Sequence, residues 1–307
     1  MTPPDATPPG AARPDVTRSG IVVVDKPSGW TSHDVVGKVR RLAHTRRVGH
    51  AGTLDPMATG VLVLGIERAT RLLGYLTLTE KAYDATIRLG VTTRTDDAEG
   101  EVLAQTSARG VRPEDIRAGV AALTGEISQV PSSVSAVKVG GERAYRKAHK
   151  GEDVELAPRQ VVVRRFEVTD VRPAGEIVDV DVVVECSSGT YVRALARDLG
   201  AGLGVGGHLT ALRRTRVGPY GLEQARTIEQ LEGAFEVVPI ADVAARTFAR
   251  FDVDEHTARL VSFGQKLPGV RVGGDGQPVG VFGPDGAFLA LYEDVEEGAR
   301  PVAVFAS

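Results

Sequence analysis

Successive strand-like segments in the middle of the chain constrain its fold more than any other feature. Apolar residues alternate over 83–89, and two further apolar segments, 161–171 and 177–186, follow each other closely. Such patterns are typical of strands, and strands joined by a short turn pair antiparallel. Helical patterns at 113–123 and 190–199 interrupt the series. The sequence therefore predicts an α+β fold with a large mixed, mainly antiparallel sheet flanked by helices, rather than a doubly wound sheet.

The two ends of the chain differ from this middle part. Residues 1–19 are rich in Pro, Ala and Thr and have no apolar periodicity, which predicts a disordered leader. Beyond residue 250, two short apolar segments, 277–282 and 287–292, each follow a Gly-rich sequence that is typical of hairpin turns. We therefore expect a large domain over 20–245 and a small β-rich C-terminal domain over 250–307.

Composition narrows the class of protein. The 307 residues are 42% apolar, enough for a full core, and the apolar runs are too short to span a membrane. No secretory signal is visible, so we expect a cytoplasmic protein. Cys186 is the only cysteine, which excludes an internal disulfide and favours a small buried strand residue. The six histidines lack the spacing of metal ligands, so we expect no metal.

Charge is unevenly distributed along the chain. The formal net charge is −3, but residues 251–307 contain nine Asp or Glu and four Lys or Arg, or −5, which leaves +2 for residues 1–250. The positive charge of this larger part is clustered, and clustered cations suit phosphates, although a charge run is also common on a solvated face. The clusters are Arg40, Arg41, Arg46 and Arg47; Lys138, Arg143, Arg146, Lys147 and Lys150; and Arg213, Arg214 and Arg216.

A glycine-bracketed segment, residues 49–60, contains a single carboxylate, that of Asp55. Asp55 precedes Pro56, which biases it away from helical backbone angles, and the glycines permit a tight turn and the close approach of a ligand. The segment follows a basic helix, which we expect Ser32 to cap. Two interpretations are open: a presented nucleophile, or an Asp-Pro turn whose carboxylate bonds nearby amides.

Several separated blocks carry a resemblance to a known family. The blocks are residues 24–32 (VDKPSGWTS), 49–60 (GHAGTLDPMATG), 81–83 (KAY), 188–193 (SGTYVR) and 208–215 (HLTALRRT). In this order they resemble the TruB-type pseudouridine synthases, which modify the uridine of the TΨC loop of tRNA. The resemblance covers roughly residues 20–240, and the C-terminal segment is similar in size and position to the PUA-like RNA-binding domains of that family.

The resemblance implies a reaction and the residues that perform it. It implies that uridine 55 of tRNA is flipped out of its stack and isomerised to pseudouridine without a cofactor, by a protein that we expect to be a monomer. Asp55 would be the nucleophile, and Arg193 would keep it ionised and oriented. Tyr83 would stack on the uracil and help to remove the C5 proton. Three further residues match substrate-contacting positions of the family: His50, Tyr191 and Leu212.

Two other classes of function stay open. A non-catalytic RNA-binding or ribosome-assembly protein would share the basic clusters but would not need Asp55, Tyr83 and Arg193 together. Ser135 and Lys138 have the Ser-x-x-Lys spacing of an acyl hydrolase in which lysine activates serine, but the companion motifs Ser-Asp-Asn and Lys-Thr-Gly are absent. A Gly-x-Gly-x-x-Gly sequence at 202–207 follows a predicted helix, whereas a dinucleotide site requires a strand before it.

Overall fold

The computed structural model describes residues 19–132 and 156–306, together with the backbone of two short strands between these ranges. The helices of the described residues are α1 (Ser32–Leu42), α2 (Leu73–Leu78), α3 (Pro113–Ala122), α4 (Val192–Gly202), α5 (Ile228–Gly233), α6 (Ile240–Thr247) and α7 (Glu255–Ser262), with a 3₁₀ helix over Glu67–Leu72. The first strands are β1 (Gly20–Lys26), β2 (Val48–His50), β3 (Thr59–Ile66), β4 (Lys81–Leu89), β5 (Val91–Thr93), β6 (Val102–Gln105), β7 (Gly125–Gln129), β8 (Lys138–Val139) and β9 (Glu142–Arg143). The later strands are β10 (Arg159–Ala174), β11 (Ile177–Cys186), β12 (Gly207–Val217), β13 (Tyr220–Gly221), β14 (Val238–Pro239), β15 (Arg250–Asp252), β16 (Leu267–Pro268), β17 (Val279–Phe282), β18 (Phe288–Val295) and β19 (Gly298–Val304).

The large sheet has the predicted mixed, mainly antiparallel topology. It contains ten strands, eight of them in the order β14-β1-β3-β12-β4-β11-β10-β7, with β2 beside β3 and β13 beside β12. The pairing of β3 with β12 is parallel, and the other pairings in this sheet are antiparallel. Strands β10 and β11 form the expected hairpin. The parallel contact brings the start of β3, and the loop before it, against β12.

Apolar cores on both faces of the sheet explain the almost continuous apolar sequences of β1 and β3. Successive side chains of a strand point to opposite faces. Val22 and Val24 accordingly lie in one core together with residues of α1, α3 and α4, whereas Ile21 and Val23 lie in a second core. A strand covered on both faces requires apolar side chains at every position. Cys186 is buried in the first of these cores, as expected for a structural strand residue.

A second sheet forms the C-terminal region. Its strands lie in the order β15-β17-β18-β19-β16, and β17 pairs with β18 across the expected hairpin turn at 283–287. The Gly-rich segment 273–276 does not form the second predicted hairpin, because β16 before it pairs with β19 and not with β17. Side chains of this sheet, including Phe288 and Leu291, lie in the same core as Ile21 of the large sheet.

Local details correct two predicted helix starts. The N-cap of α1 is Thr31 and not Ser32: its hydroxyl accepts from the Asp34 amide at 3.1 Å, and the Asp34 carboxylate accepts from the Thr31 amide at 2.8 Å. The helix predicted from residue 190 begins at Val192, because the Thr190 hydroxyl donates to a carbonyl of the preceding turn and the N-cap is Tyr191. In both cases the neighbouring residue has the extended backbone that an N-cap needs.

Some predictions fall outside the described residues. These are most of the leader 1–19 and Ser135 of the Ser-x-x-Lys motif. Residues 67–78 form a 3₁₀ helix followed directly by α2. Across the described residues, no helix combines the length and the apolar character that a membrane crossing needs.

Candidate active site

The loop that contains Asp55 joins β2 to β3 at residues 51–58. Two glycines have the positive φ angles that glycine adopts readily: φ is +89° at Gly52 in the loop and +98° at Gly60 at the start of β3. A Cβ on Gly60 would lie 2.2 Å from the carbonyl oxygen of Arg214 on the parallel neighbour β12. A side chain at this position would therefore push β3 away from β12. The loop is fixed to the sheet at the point where it ends.

A buried ammonium group holds the loop from the side of β1. Lys26 Nζ donates to the carbonyl oxygens of Pro27 at 2.9 Å, Trp30 at 2.7 Å and Pro56 at 3.1 Å. Burial lowers the pKa of Lys26 to about 8, and the negative charge of Asp55 opposes this shift. The lysine thus joins the segment after β1 to the residue that follows Asp55.

Helix α1 holds the same loop from another direction. The hydroxyl of Ser32 donates to the Leu54 carbonyl at 3.1 Å and accepts from the Leu54 amide at 2.9 Å. The Gly29 amide donates to the Pro56 carbonyl at 2.9 Å. Both residues that flank Asp55 therefore have their backbone groups bonded, so the position of the carboxylate is set by its neighbours.

Arg193 lies between two carboxylates. Its Nε is 3.0 Å from Asp55 Oδ2, and its Nη1 is 3.3 Å from Asp97 Oδ2 and donates to the Thr95 carbonyl at 2.9 Å. Asp97 is itself fixed, because its Oδ1 accepts from the Glu99 amide at 3.1 Å. Arg193 and Asp97 are buried, whereas 35% of the Asp55 side chain is exposed. The predicted pair of Asp55 and Arg193 is present, and Asp55 is its solvent-accessible member.

Opposing effects set the protonation of Asp55. Burial raises the pKa of its carboxyl group above the usual value near 3.8, and the charge of Asp97 raises it further. The positive charges of Arg193, Lys26 and Arg214 lower it. Arg193 thus favours the ionised form as predicted, but its effect is smaller than that of burial, so the net direction is upward.

Tyr83 lies on β4 directly opposite Arg214 of β12. Its ring is buried in the core beneath α1 and α4, on the apolar side of the strand as its alternating neighbours predicted. Burial raises the pKa of the Tyr83 hydroxyl, whereas the charge of Arg214 and a side-chain hydrogen bond with it lower that pKa. The charge of Asp55 also acts on this hydroxyl. The structure therefore brings Tyr83 into the electrostatic environment of the Asp55 loop.

The three predicted substrate-contacting residues lie on different elements. His50 ends β2, and its half-buried ring meets that of His33 edge to face at 5.9 Å. Tyr191 precedes α4, where the buried Gln129 accepts from its amide at 2.8 Å and donates to its carbonyl at 3.2 Å. Leu212 on β12 is buried in the same core as Tyr83. His50 and Tyr191 are therefore partly accessible, and Leu212 contributes an apolar surface beside Tyr83.

The third basic cluster is not uniformly exposed, because Arg214 is buried between the partly exposed Arg213 and Arg216. Arg214 is 1% exposed and its guanidinium donates to the carbonyls of Val61 at 2.7 Å, Gly52 at 3.1 Å and Thr53 at 3.4 Å. The arginines on either side pair with carboxylates: Arg213 with Asp25 at 2.7 Å, and Arg216 with Glu185 at 2.8 Å. These arginines bond other groups of the protein instead of forming one exposed basic surface. All four arginines of the first cluster are exposed.

Sequence reasoning missed Asp97, Gln129 and the role of Arg214. Asp97 stands in a polar segment without a recognisable motif, and its partner Arg193 is far away in sequence. Gln129 ends an edge strand, and nothing in its surroundings signals that it positions Tyr191. The described residues contain no group of three or more His, Cys, Asp or Glu side chains placed to hold a metal ion.

Most of the chain matches domains of known protein families. Residues 40–192 match the N-terminal domain of the TruB family pseudouridylate synthases. Residues 193–242 match the tRNA pseudouridylate synthase B C-terminal domain, and residues 248–306 match the tRNA pseudouridine synthase II C-terminal domain.

Individual proteins extend this similarity. The chain is 60% identical to the tRNA pseudouridine synthase B of Arthrobacter sp. (strain FB24) over 296 residues, which cover 94% of this chain and 97% of that protein. It is also 60% identical over 297 residues to the tRNA pseudouridine synthase B of Streptomyces griseus, covering 94% and 98%. The fold is similar to a chain in a solved H/ACA RNP bound to a substrate RNA containing 2′-deoxyuridine, with a TM-score of 0.71 at 24% identity over 95% of this chain and 86% of that chain.

Proposed function

The chain belongs to the TruB family of pseudouridylate synthases, and we propose that it isomerises uridine 55 in the TΨC loop of tRNA with Asp55 as nucleophile. One observation carries the chemical part of this proposal. A recessed but accessible carboxylate in a loop tied on both sides lies 3.0 Å from a buried arginine. The names of relatives that are 60% identical over nearly their full length support tRNA as the substrate.

The reaction moves the sugar from N1 to C5 of the same base. The bond between N1 and C1′ breaks, the uracil turns in place, a bond between C5 and C1′ forms, and the C5 proton leaves while N1 takes up a proton, so that the product is an isomer of the substrate. An ionised carboxylate at Asp55 can attack the substrate or stabilise positive charge on the sugar. Arg193 keeps the carboxylate ionised and aimed, since its planar guanidinium is fixed by Asp97 on the far side. The proposal leaves open which substrate atom Asp55 attacks.

The base must leave its stack before this chemistry, because a stacked nucleotide does not expose its reacting atoms. In the proposed complex the flipped uracil lies between the Asp55 loop and β4, against Tyr83 and Leu212. The Tyr83 hydroxyl then takes part in removal of the C5 proton. His50, at the end of β2, fills the space that the flipped base leaves, and Tyr191 contacts the nucleotide from the start of α4.

We propose different roles for the two regions of the chain. Residues 20–245 form the catalytic domain, and residues 250–307 chiefly brace it through the shared apolar core around Phe288 and Leu291. The acidic balance of this second part supports bracing over phosphate binding. We expect the protein to act as a monomer in the cytoplasm.

Incubation with an unmodified tRNA transcript tests the function. Pseudouridine is mapped by carbodiimide modification and primer extension, and a transcript with cytidine at position 55 serves as the control. We expect one modified position, uridine 55, in the first transcript and none in the second. Modification elsewhere would overturn the choice of position. Tight binding of the transcript with no pseudouridine at all would instead favour the non-catalytic RNA-binding alternative.

A further inference from the structure

We propose that Arg214 is a positioning residue that couples the Asp55 loop to Tyr83. This inference rests on the proposed function, because it assigns a task to Arg214 in the same reaction. Arg214 reaches both sides of the site from one point on β12: its guanidinium donates to the carbonyls of Gly52 and Thr53, and Tyr83 is its direct partner on the neighbouring strand β4. A change in its position would move the nucleophile loop and the tyrosine together.

The backbone arrangement makes this coupling rigid. On one side of β12, the Cα of Arg214 is paired with Tyr83 of β4; on the other, it is paired with Gly60 of β3. The guanidinium also donates from Nε to the Val61 carbonyl at 2.7 Å. Strands β3 and β4, which flank β12, and the Asp55 loop are therefore all bonded to Arg214. Arg214 is 1% exposed, so solvent does not compete for these donors.

The charge of Arg214 is not explained by an ion pair. Within the described residues no carboxylate lies within ion-pair distance of its guanidinium, and its hydrogen bonds go to neutral oxygens. Burying a cation without a paired anion costs free energy of folding. The nearby ammonium of Lys81 adds repulsion: burial first, and the charge of Arg214 second, lower the pKa of Lys81 to about 8. The charge of Arg214 instead acts on Asp55 and lowers its pKa, which points to a use in the site.

A guanidinium suits this task better than an ammonium. Its planar fork has five N–H donors in fixed directions, whereas lysine has three donors on one flexible point. Arg214 uses separate nitrogens for Val61, Thr53 and Gly52. The positive charge of Arg214 also lowers the pKa of the Tyr83 hydroxyl, against the larger effect of burial, and so favours the deprotonated form that accepts a proton from C5. One residue thus orients both groups and prepares Tyr83 as a base.

Single-turnover kinetics of Arg214→Lys and Arg214→Met on bound tRNA transcript test the proposal. The matched control is Arg88→Lys, an ion-paired arginine of β4 that bonds Asp179 and lies five residues from Tyr83. We expect the rate on bound tRNA to fall about 100-fold in Arg214→Met, the loss typical of misplaced catalytic groups. Arg214→Lys should recover part of it, tRNA affinity should stay within about 3-fold, and the control should match the wild type.

A double-mutant cycle with Tyr83→Phe separates positioning from a general structural role. If Arg214 acts through Tyr83, its replacement by lysine costs clearly less in the Tyr83→Phe protein than in the wild type. The rise of the single-turnover rate with pH should also move to higher pH in Arg214→Lys, since the positive charge that lowers the pKa of Tyr83 is no longer held in place. Full additivity, together with an unchanged pH profile, would overturn the proposal.

Hydrogen–deuterium exchange of the amides of residues 51–58 provides a readout that does not depend on activity. We expect faster exchange there in Arg214→Lys than in the wild type or in Arg88→Lys. Unchanged exchange would contradict the coupling even if the wild type made no pseudouridine, in which case the proposed function would fail separately. Arg214→Lys retains the charge and most of the side chain, so it remains informative if Arg214→Met does not fold.

Discussion

The Asp55 loop and the junction beneath the C-terminal sheet are held by opposite kinds of interaction. Charged side chains fix the loop: Lys26 and Arg214 donate to its carbonyls, and Arg193 pairs with its carboxylate. The junction is mainly apolar, with Phe288 and Leu291 in a shared core with strands of the large sheet, and Arg68 at its margin donates to the Phe305 carbonyl at 2.8 Å. The loop therefore contains several buried charges within a small volume, and the junction contains buried apolar area.

This difference means that the loop network chiefly fixes the geometry of the site, whereas the junction chiefly contributes to folding stability. Hydrogen bonds to buried charges are directional, so they fix atoms at defined positions, but desolvation offsets much of their contribution to folding. Apolar burial has no direction and contributes about 25 cal/mol per Å². Substitutions in the loop network should therefore affect the rate more than the stability, and substitutions in the junction should do the reverse.

Among the substitutions that leave the Asp55 carboxylate in place, the largest effect on the rate is expected for Arg193→Lys. The ammonium keeps one positive charge but cannot contact Asp55 from Nε while it contacts Asp97 and the Thr95 carbonyl from Nη1. We expect the single-turnover rate to fall by about 100-fold or more, as for a misplaced catalytic group, with little change in tRNA affinity. A wild-type rate in this variant would refute the pairing of Asp55 with Arg193 as part of the mechanism.

The junction should respond in the opposite way to Leu291→Ala. Leu291 is fully buried in the shared core, and truncation of such a leucine costs about 2–5 kcal/mol. Urea unfolding should show this loss, while the rate on bound tRNA at low temperature stays within about 2-fold of the wild type. A variant that unfolds like the wild type but turns over slowly would break the proposed division between the two regions.

A smaller effect is expected in the pH dependence of the rate. Burial and the charge of Asp97 raise the pKa of Asp55, and a protonated Asp55 is not a nucleophile, so the rate should fall as pH decreases through this raised pKa. Asp97→Asn removes one raising effect, so the acidic limb should move to lower pH even though the rate itself decreases. Profiles measured under single-turnover conditions decide this, and a limb that moves upward in Asp97→Asn would contradict the assignment.

The sequence predicted the parts of the site that lie in short blocks. Asp55 and Arg193 stand in separate recognisable segments, and the alternation around Tyr83 correctly placed its ring in the core. Asp97 had no such signal, because its contact with Arg193 depends on how a loop after β5 packs against α4. Long-range contacts of this kind depend on tertiary packing and not on local pattern.

The arginines of β12 show where pattern reasoning fails. Arg213 and Arg214 are neighbours, so on a strand they must point to opposite faces. One pairs at the surface with Asp25, and the other is buried beneath the loop. A register shift between Arg214 and Arg216 disturbs the alternation further. A run of positive charge in a strand therefore does not indicate one basic face.

The sequence predicted a β-rich C-terminal region but not its strand order, because β15 pairs with the non-adjacent β17.

The most direct test of the account compares the chemistry and the binding of Asp55→Asn. The substitution removes the charge that the proposed reaction needs and leaves Arg193 paired with Asp97. Because burial raises the pKa of Asp55, its ionised form costs folding free energy at neutral pH, so the variant should be no less stable than the wild type. We predict no detectable pseudouridine in a transcript that Asp55→Asn binds within a few-fold of wild-type affinity. Formation of pseudouridine at uridine 55 by this variant would remove Asp55 from the mechanism and contradict the central claim.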